Sequence, residues 1–546
     1  MLRLRKSKSS SRGSLPPLRR FSSISVASLD FDYSSRTINQ HEDDDLEFAN
    51  DSFLERIRNF LCFDAINLKS TSMRNAKMLS SLDAHSSVSY IPHYGVDVCF
   101  TDEYHSSASK LEPYRKIGDP EMDFLLSEIL FGPFDDVISA AADAFNKPNS
   151  NATNRLAQFY RHYNQVPSWV DFDQIQRGID VFLAYLPAAG CALYYRSLVG
   201  GFSIPKIVEV LKATRYLVSD RKKTLNRLID TGGLLAACFA PSDSSVSAAS
   251  LRPGGKGWMA ALRVRVLHAK IRRRLLQLKR TDEDGHSVPS FDVKKNGIPI
   301  NQEDLAATLL AFSVNVLLGI EIFAGKPLPA NEQLDYLALW RYIGWLLGID
   351  TPESEHTSSN CDKAVQESTE PLPPIDPCRP SILHSYASLE SIILHILHPE
   401  PSSCDLVTHL LSVTGFFPFR AEACRKLLGE PLADGLGLPK SHCWQGWRVD
   451  AIQVFLVNSL LKVAVYMFFM CFRLYTLLTM SCPWFQTKAT VWHVCLQRSF
   501  LHKWEKAHSS RMSAAYKKDK NPSASVTKSS SSSSSCPFSM VMPPQM

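Results

Sequence analysis

The 546-residue chain has 13 cysteines but no Cys-x-x-Cys pair among them, no Gly-rich phosphate loop, no Gly-x-Ser-x-Gly elbow, no His-Glu-x-x-His and no kinase signature. Each absence removes a class. Scattered thiols are how free, mostly buried cysteines look in a reducing compartment, so neither a disulfide framework nor a zinc ribbon is expected. Without a phosphate loop, nucleophile elbow or zincin motif, hydrolase and nucleotide-dependent chemistry have no support. Charge of one sign is also scarce. A net charge of +6 is small for this length and gathers in the termini and one helix, with no nucleic-acid motif beside it. No nucleic-acid partner is expected; an anionic lipid surface or a local acidic ligand fits better. No apolar core of about 7–15 residues follows the basic start, so a cleaved secretory signal is not expected.

Residues 1–50 carry a basic, serine-rich stretch with seven Lys or Arg before Asp30, then the acidic patch Glu42–Asp45. The composition resembles an organellar transit peptide, but Pro16 and Pro17 break any long amphipathic helix, and the region reads as disordered. Organised chain is expected from near Asp119. The strings MDFLLSEILFGPFDDVISAAADAF, DFDQIQRGIDVFLAYLPAAGCALYY and IPKIVEVLKATRYLVSDRKKTLNRLIDTGGLLAACF repeat apolar residues at three and four. That period, with Pro and Gly between segments and little β alternation, predicts an all-α domain. Ser242–Lys256 is small and polar and Thr351–Pro380 is acidic and Pro-rich; both read as loop insertions. From about Lys506 to Met546, with its Ser529–Ser535 run, the chain reads as a disordered tail.

Ala451–Met480 is a long hydrophobic helix interrupted by Lys462 and Arg473. At about 1.5 Å per residue it is long enough for a bilayer core of about 30 Å. Eleven residues make nearly three turns, so the two cations share a face along which Asn458, Tyr466 and Thr476 also lie. Such a stripe suits an interfacial helix with the stripe toward headgroups, a spanning helix whose stripe packs on protein, or an internal helix of a large α domain. Membrane contact is the expectation, with the basic residues beyond it, Lys503, Lys506, Arg511, Lys517 and Lys518, on the cytoplasmic side.

The stretch GWMAALRVRVLHAKIRRRLL sets His268 on an apolar helix face with Ala261, Val264, Ile271 and Leu275, while Arg263, Lys270, Arg273 and Arg274 fall elsewhere. An inward imidazole needs a carboxylate, a carbonyl or a metal, and neighbouring guanidiniums suit a ligand bearing carboxylates. Arg227 and Thr231, four apart, project a cation and a hydroxyl from one helix face. His395 and His398 stand three apart, but no third ligand is near them, and they read as packing at a helix end before Pro399. His162 reads as a loop or helix-end residue.

Six strings, in order, resemble a known family: GDPEMD (118–123), VPSWVDFDQIQRG (166–178), SLVGGFSIPKIVEVLKATRYL (197–217), INQEDLAATLLAFSVNVLLGI (300–320), LDYLALWRYIGWLLGID (334–350) and RKLLGEPLADGLGLP (425–439). They are similar to the ER-bound oxygenase mpaB and rubber oxygenase (latex-clearing) catalytic domain, over residues 118–439 with the two insertions. The resemblance implies a large globin-like helical domain holding haem b through one histidine, matched by His268. It also implies an Arg-x-x-x-Thr pair near the haem, matched by Arg227 and Thr231. Where a family member has a distal lysine this chain has Asp230, and the nearest candidate for an acid–base glutamate is Glu209.

The function expected on that basis is haem-dependent oxygenation or cleavage of a double bond in an apolar, isoprenoid or unsaturated lipid-like substrate. Dioxygen would be co-substrate, an electron donor is implied, and the location is a membrane, the endoplasmic reticulum fitting better than the mitochondrion. Helices near Ile300–Ile320 are expected to wall the substrate channel. The competing reading is an inactive membrane-associated helical scaffold that keeps the fold.

Overall fold

Helix starts are written into the chain as Asp, Asn or Ser followed by apolar periodicity. In the computed structural model these become caps: Asp119, Asp136, Asp171, Asp220, Asn301 and Ser381 each accept a backbone N–H from the first turn. The structure describes residues 87–520 except 92–95, 101–102, 130, 133–134, 148–150, 215–219, 242–245, 282–286, 350–372 and 441–450. All belong to one unit, Asp64–Met546. The readings of residues 1–50, of the chain beyond Lys520 and of most of the second insertion lie outside the described residues.

The fold is all-α. Its longer helices are α1 (Pro120–Glu128), α2 (Val137–Asn146), α3 (Asn151–Asn164), α4 (Phe172–Ala184), α5 (Pro205–Ala213), α6 (Arg221–Cys238), α7 (Lys256–Gln277), α8 (Gln302–Phe312) and α9 (Val314–Ala324). They continue as α10 (Ala330–Leu346), α11 (Ile382–Ile396), α12 (Pro401–Thr414), α13 (Phe417–Leu428), α14 (Ala451–Ser481) and α15 (Pro483–Lys520). Between α4 and α5 a short helix, Leu186–Cys191, runs into a π-helical segment, Ala192–Val199. Two small antiparallel hairpins accompany the helices: β1 (Ser87–Ile91) with β2 (Val96–Phe100), and β3 (Lys279–Thr281) with β4 (Ser287–Pro289). Structured chain therefore begins earlier than Asp119. The strings SVSYI and VDVCF alternate apolar and small or polar residues, which is a strand pattern too short to register among helical periods.

The helix that carries His268, α7, packs against α1, α2, α6 and α10. Its first turns, with Trp258, Ala260, Ala261 and Leu262, are sealed in the core. Its arginines do not wait for a ligand, which corrects the sequence-based expectation. Arg265 makes a paired contact with Asp119 (Nε–Oδ2 2.6 Å, Nη2–Oδ1 2.8 Å) and reaches Glu121 at 2.9 Å. Arg272 meets Asp123 at 3.1 Å, Arg263 meets Asp136 at 2.7 Å, and Arg273 donates to the Leu126 carbonyl at 2.6 Å. The acids of GDPEMD thus form a rib that fixes the rotation of α7. Long guanidinium stems end on carboxylates because an unpaired buried charge is far costlier than a paired one.

Elsewhere the joints are similar. On α4, Arg177 bridges to Asp335 of α10 at 2.9 Å, and Gly178 lies so close to α10 that a Cβ there would stand 2.3 Å from the Asp335 carbonyl. The first insertion is partly internal rather than exposed: Ser250 and Leu251 are buried, and the Ser250 hydroxyl accepts the Gly257 N–H at 3.0 Å.

In α14 the shared polar face divides. Arg473 and Thr476 turn into the protein and are buried, whereas Lys462 is exposed. Phe469 stacks on Phe323 of α9 and Tyr475 donates to the Ala184 carbonyl at 2.9 Å. The opposite face is an exposed apolar row, Leu460, Val463, Met467, Leu474 and Leu478. A stripe directed at headgroups is therefore not what the structure shows. Among the described residues, two helical stretches are long and apolar enough to cross a membrane, Gln302–Ala324, whose most apolar part is 83% buried, and Ser459–Ser481, whose most apolar part is 28% buried; the bent pair Phe172–Ala184 and Leu186–Val199 makes a third if taken as one span. Helix α15 continues past Lys506 to Lys520 and packs on α4 and α6.

Candidate functional site

A cavity of about 510 Å³ lies between the π-helical segment, α5, α6, α7, α8 and α11, a size suited to a flat cofactor or a small lipid. His268, Arg227 and Thr231 all line it. Helix α6 delivers the last two from one face: the Arg227 Nη1 donates to the Thr231 hydroxyl at 2.7 Å, and that hydroxyl donates back to the Arg227 carbonyl at 3.1 Å. The guanidinium is thereby held along the cavity wall rather than free to swing. The π-helical segment contributes Leu193, Tyr194 and Ser197 to the lining. A widened helix of this kind shifts side chains out of α register and is found mostly where a site is built.

His268 is half-buried, and its Nδ1 is sealed with no hydrogen-bond partner. Burial first, and then the cations of Arg272 and Arg227, push its pKa down to about 3. The imidazole is neutral at physiological pH, the form in which it can ligate a metal. No cluster of three or more His, Cys, Asp or Glu able to hold a metal ion exists among the described residues. A metal at His268 would have to bring its other ligands with it.

Residues that sequence reasoning passed over also reach the cavity. Asp304, Thr308 and Asn315 follow one another along the α8–α9 wall. Burial pushes the Asp304 carboxyl up to about 6, against the pull of Arg115 and with Glu303 adding to the rise. The wall expected to be apolar therefore carries a polar row, which could have been read from the spacing of four and seven in DLAATLLAFSVN.

Other candidates stand apart from the cavity. His395 lies between two carboxylates, Glu303 at 2.6 Å and Glu112 at 3.3 Å, in a network with Arg115. The His398 N–H donates to the Ser203 carbonyl at 2.8 Å. His162 packs within α3 against Tyr163 and Trp345. Glu209 pairs with Lys212 at 2.9 Å outside the cavity lining. Asp230 points to the far side of α6, where it accepts from the Trp504 indole at 3.2 Å and from Arg511 at 2.6 Å.

The family profile "ER-bound oxygenase mpaB/B'/Rubber oxygenase, catalytic domain" matches residues 180–457, a span that contains Arg227, Thr231, His268 and Asn315. A solved structure of Latex Clearing Protein LCP in the closed state is similar at 18% sequence identity and a TM-score of 0.45, covering 67% of this chain and 92% of that one. No curated protein matches the sequence. Half of the chain being matched by the profile, this protein belongs to the ER-bound oxygenase mpaB/B' and rubber oxygenase catalytic-domain family, a family of oxygenases.

Proposed function

We propose that the protein is a haem b-dependent oxygenase that acts on a double bond of an apolar, isoprenoid or unsaturated lipid-like substrate at a membrane surface. The observation that carries this reading is the neutral imidazole of His268, its Nδ1 sealed without a hydrogen-bond partner, on the wall of the cavity that also holds the Arg227–Thr231 pair. The sealed Nδ1 leaves no room for a metal, so a coordinate bond would come from the other ring nitrogen, Nε2, and a single protein ligand is what haem requires. The residues present therefore fit haem: His268 would hold its iron, and Arg227 would supply a guanidinium for a propionate carboxylate. When bound, haem b supplies the iron chemistry with dioxygen that an oxygenase needs.

The chain's own part is orientation and exclusion. Leu193, Leu235, Leu267 and Ile271 give the cavity apolar sides that hold an alkene and keep bulk water out. Thr231, fixed by Arg227, presents its hydroxyl to the cavity wall. A purely structural scaffold gives no reason for a sealed ring nitrogen without a partner.

The surface supports the membrane part. Beyond the apolar row of α14, α15 exposes Trp484, Val491, Trp492, Leu496 and Phe500. Exposed apolar faces on successive helices with tryptophans among them suit the interfacial region of a bilayer.

Arg227→Ala and Thr231→Ala are expected to keep the thermal transition of the parent but to lose haem on gel filtration and to lower turnover of an unsaturated isoprenoid about tenfold or more, read as carbonyl products. Two variants that retain haem and turnover at the parental level would remove these residues from the site.

A further inference from the structure

The cavity wall formed by α8 and the first turn of α9 is not the apolar surface that a hydrocarbon needs. Asp304, Thr308, Ala311 and Asn315 succeed one another at intervals of four, three and four, so they share one face, and all four line the cavity. Two of the polar members are occupied by the protein. Asp304 takes Arg115 on Oδ1 at 3.1 Å and the Asn301 amide on Oδ2 at 2.9 Å, and Thr308 donates to the Asp304 carbonyl at 2.8 Å. Asn315 is different. It is 8% exposed and its Oδ1 is buried with no partner.

An amide in that position is expensive. Leaving a buried acceptor unpaired costs about 1–3 kcal/mol, and leucine has the same branching and number of side-chain heavy atoms without that cost. Its neighbours Val314, Val316, Leu317 and Leu318 are all apolar and buried, so nothing in the local pattern calls for asparagine. The residue also stands just past the interruption between α8 and α9 at Ser313, where the helix axis resets beside the cavity. Rotation of the amide exchanges its oxygen and nitrogen at little cost, so the group can offer the cavity an acceptor or a donor.

We infer that Asn315 anchors a neutral hydroxyl at one end of the substrate, which makes the substrate class an unsaturated lipid alcohol rather than a plain hydrocarbon. A hydroxyl both donates and accepts and so pairs with either face of the amide. At Asn315 a carboxylate or phosphate end would meet a neutral amide among apolar side chains, with no cation to pair its charge. This rests on the reading of the cavity as the oxygenation site and narrows its substrate.

The test compares binding of farnesol and of its hydrocarbon counterpart farnesene to the full-length protein by equilibrium dialysis, in the parent and in Asn315→Leu. The ratio of the two affinities is the readout, because it cancels the different water solubilities of the ligands. Asn315→Leu is expected to shift that ratio toward farnesene by about tenfold or more while farnesene binding is kept or strengthened. A ratio unchanged within about twofold, or no binding of either ligand by the parent, overturns the inference. If Asn315→Leu lacks a cooperative thermal transition, Asn315→Ala takes its place, with the same two outcomes. Haem uptake, followed by the visible spectrum of the same samples, separates the two claims. A haem spectrum with an unaltered ratio removes only the role of Asn315. A shifted ratio in protein that takes up no haem sustains that role and removes the oxygenase reading.

Discussion

Asp119→Ala is expected to destabilise the folded domain by about 3–5 kcal/mol in urea unfolding, because it strips the paired contact from a guanidinium that stays buried. Arg265 and Asp119 are both almost fully enclosed, and the remaining partners, Glu121 and Tyr163, cannot replace a bidentate carboxylate. Burial alone would raise the Asp119 pKa, but Arg265, then Arg272 and the Met122 N–H, hold it below the ordinary carboxylate value. A carboxylate with a depressed folded pKa contributes stability that is fully present above about pH 4, its unfolded value, and is lost as pH falls through the folded one. The parent should therefore lose more stability than Asp119→Ala on acidification below about pH 4. The double change Asp119→Ala with Arg265→Met should recover part of the loss, since no charge is then stranded. A single-variant cost below about 1 kcal/mol would mean that the acidic rib does not hold α7. The consequence reaches the site, since Arg265 and His268 stand three residues apart on α7, and the pairing that fixes the rotation of the helix also fixes the side from which His268 projects.

Trp504→Ala carries the second large effect, about 3–5 kcal/mol from the cavity it leaves. The indole lies in a cluster with Ala236, Ala237, Ala260, Val264 and Leu501, directly behind the two helices that bear the site. It also donates to Asp230, the residue next to Thr231. Gly233 is required there: a Cβ would stand 2.2 Å from the Trp504 ring. With α15 loosened, α6 loses its backing, so haem retention should fall together with the unfolding midpoint. Trp504→Phe, which keeps the bulk and gives up only the hydrogen bond, should show a smaller loss. If Trp504→Ala matched the parent in both measurements, α15 would be an appendage rather than a wall of the domain.

These two residues show what a sequence discloses and what it hides. Periods of three and four, with Asp, Asn and Ser at the starts, reveal the helices and the all-α class because the signals are local. His268, Arg227 and Thr231 are recognisable as residue types on particular helix faces, and the structure brings all three to one cavity. Their partners are not local. Arg265 reaches Asp119 across 146 positions and Arg511 reaches Asp230 across 281, and no window of sequence connects such pairs. For that reason the arginines of α7 look available for a ligand in the sequence and prove to be joints in the fold. The recognisable strings turn out to be joints as well. GDPEMD meets α7, Arg177 in VPSWVDFDQIQRG meets Asp335 in LDYLALW, and Gln302 in INQED donates to the carbonyls of Gly118 and Gly348.

The stretch beyond Lys506 illustrates the opposite error. Its lysines and serines look like a solvated tail, yet His508 and Arg511 continue the spacing of three and four set just before it by Leu501 and Trp504, and Arg511 reaches Asp230 on α6. Composition outweighed period there. Asn315 was legible as an oddity, a lone amide in an apolar run, but its meaning needs the cavity beside it.

The central claim is the bond between His268 and an iron held in this cavity, and the visible spectrum of purified full-length protein supplied with haem tests it most directly. The parent is expected to retain haem through gel filtration with a sharp Soret band, His398→Ala to do the same, and His268→Ala to elute colourless with its thermal transition intact. Equal haem retention by His268→Ala and the parent, or a parent that takes up no haem at all, would contradict it.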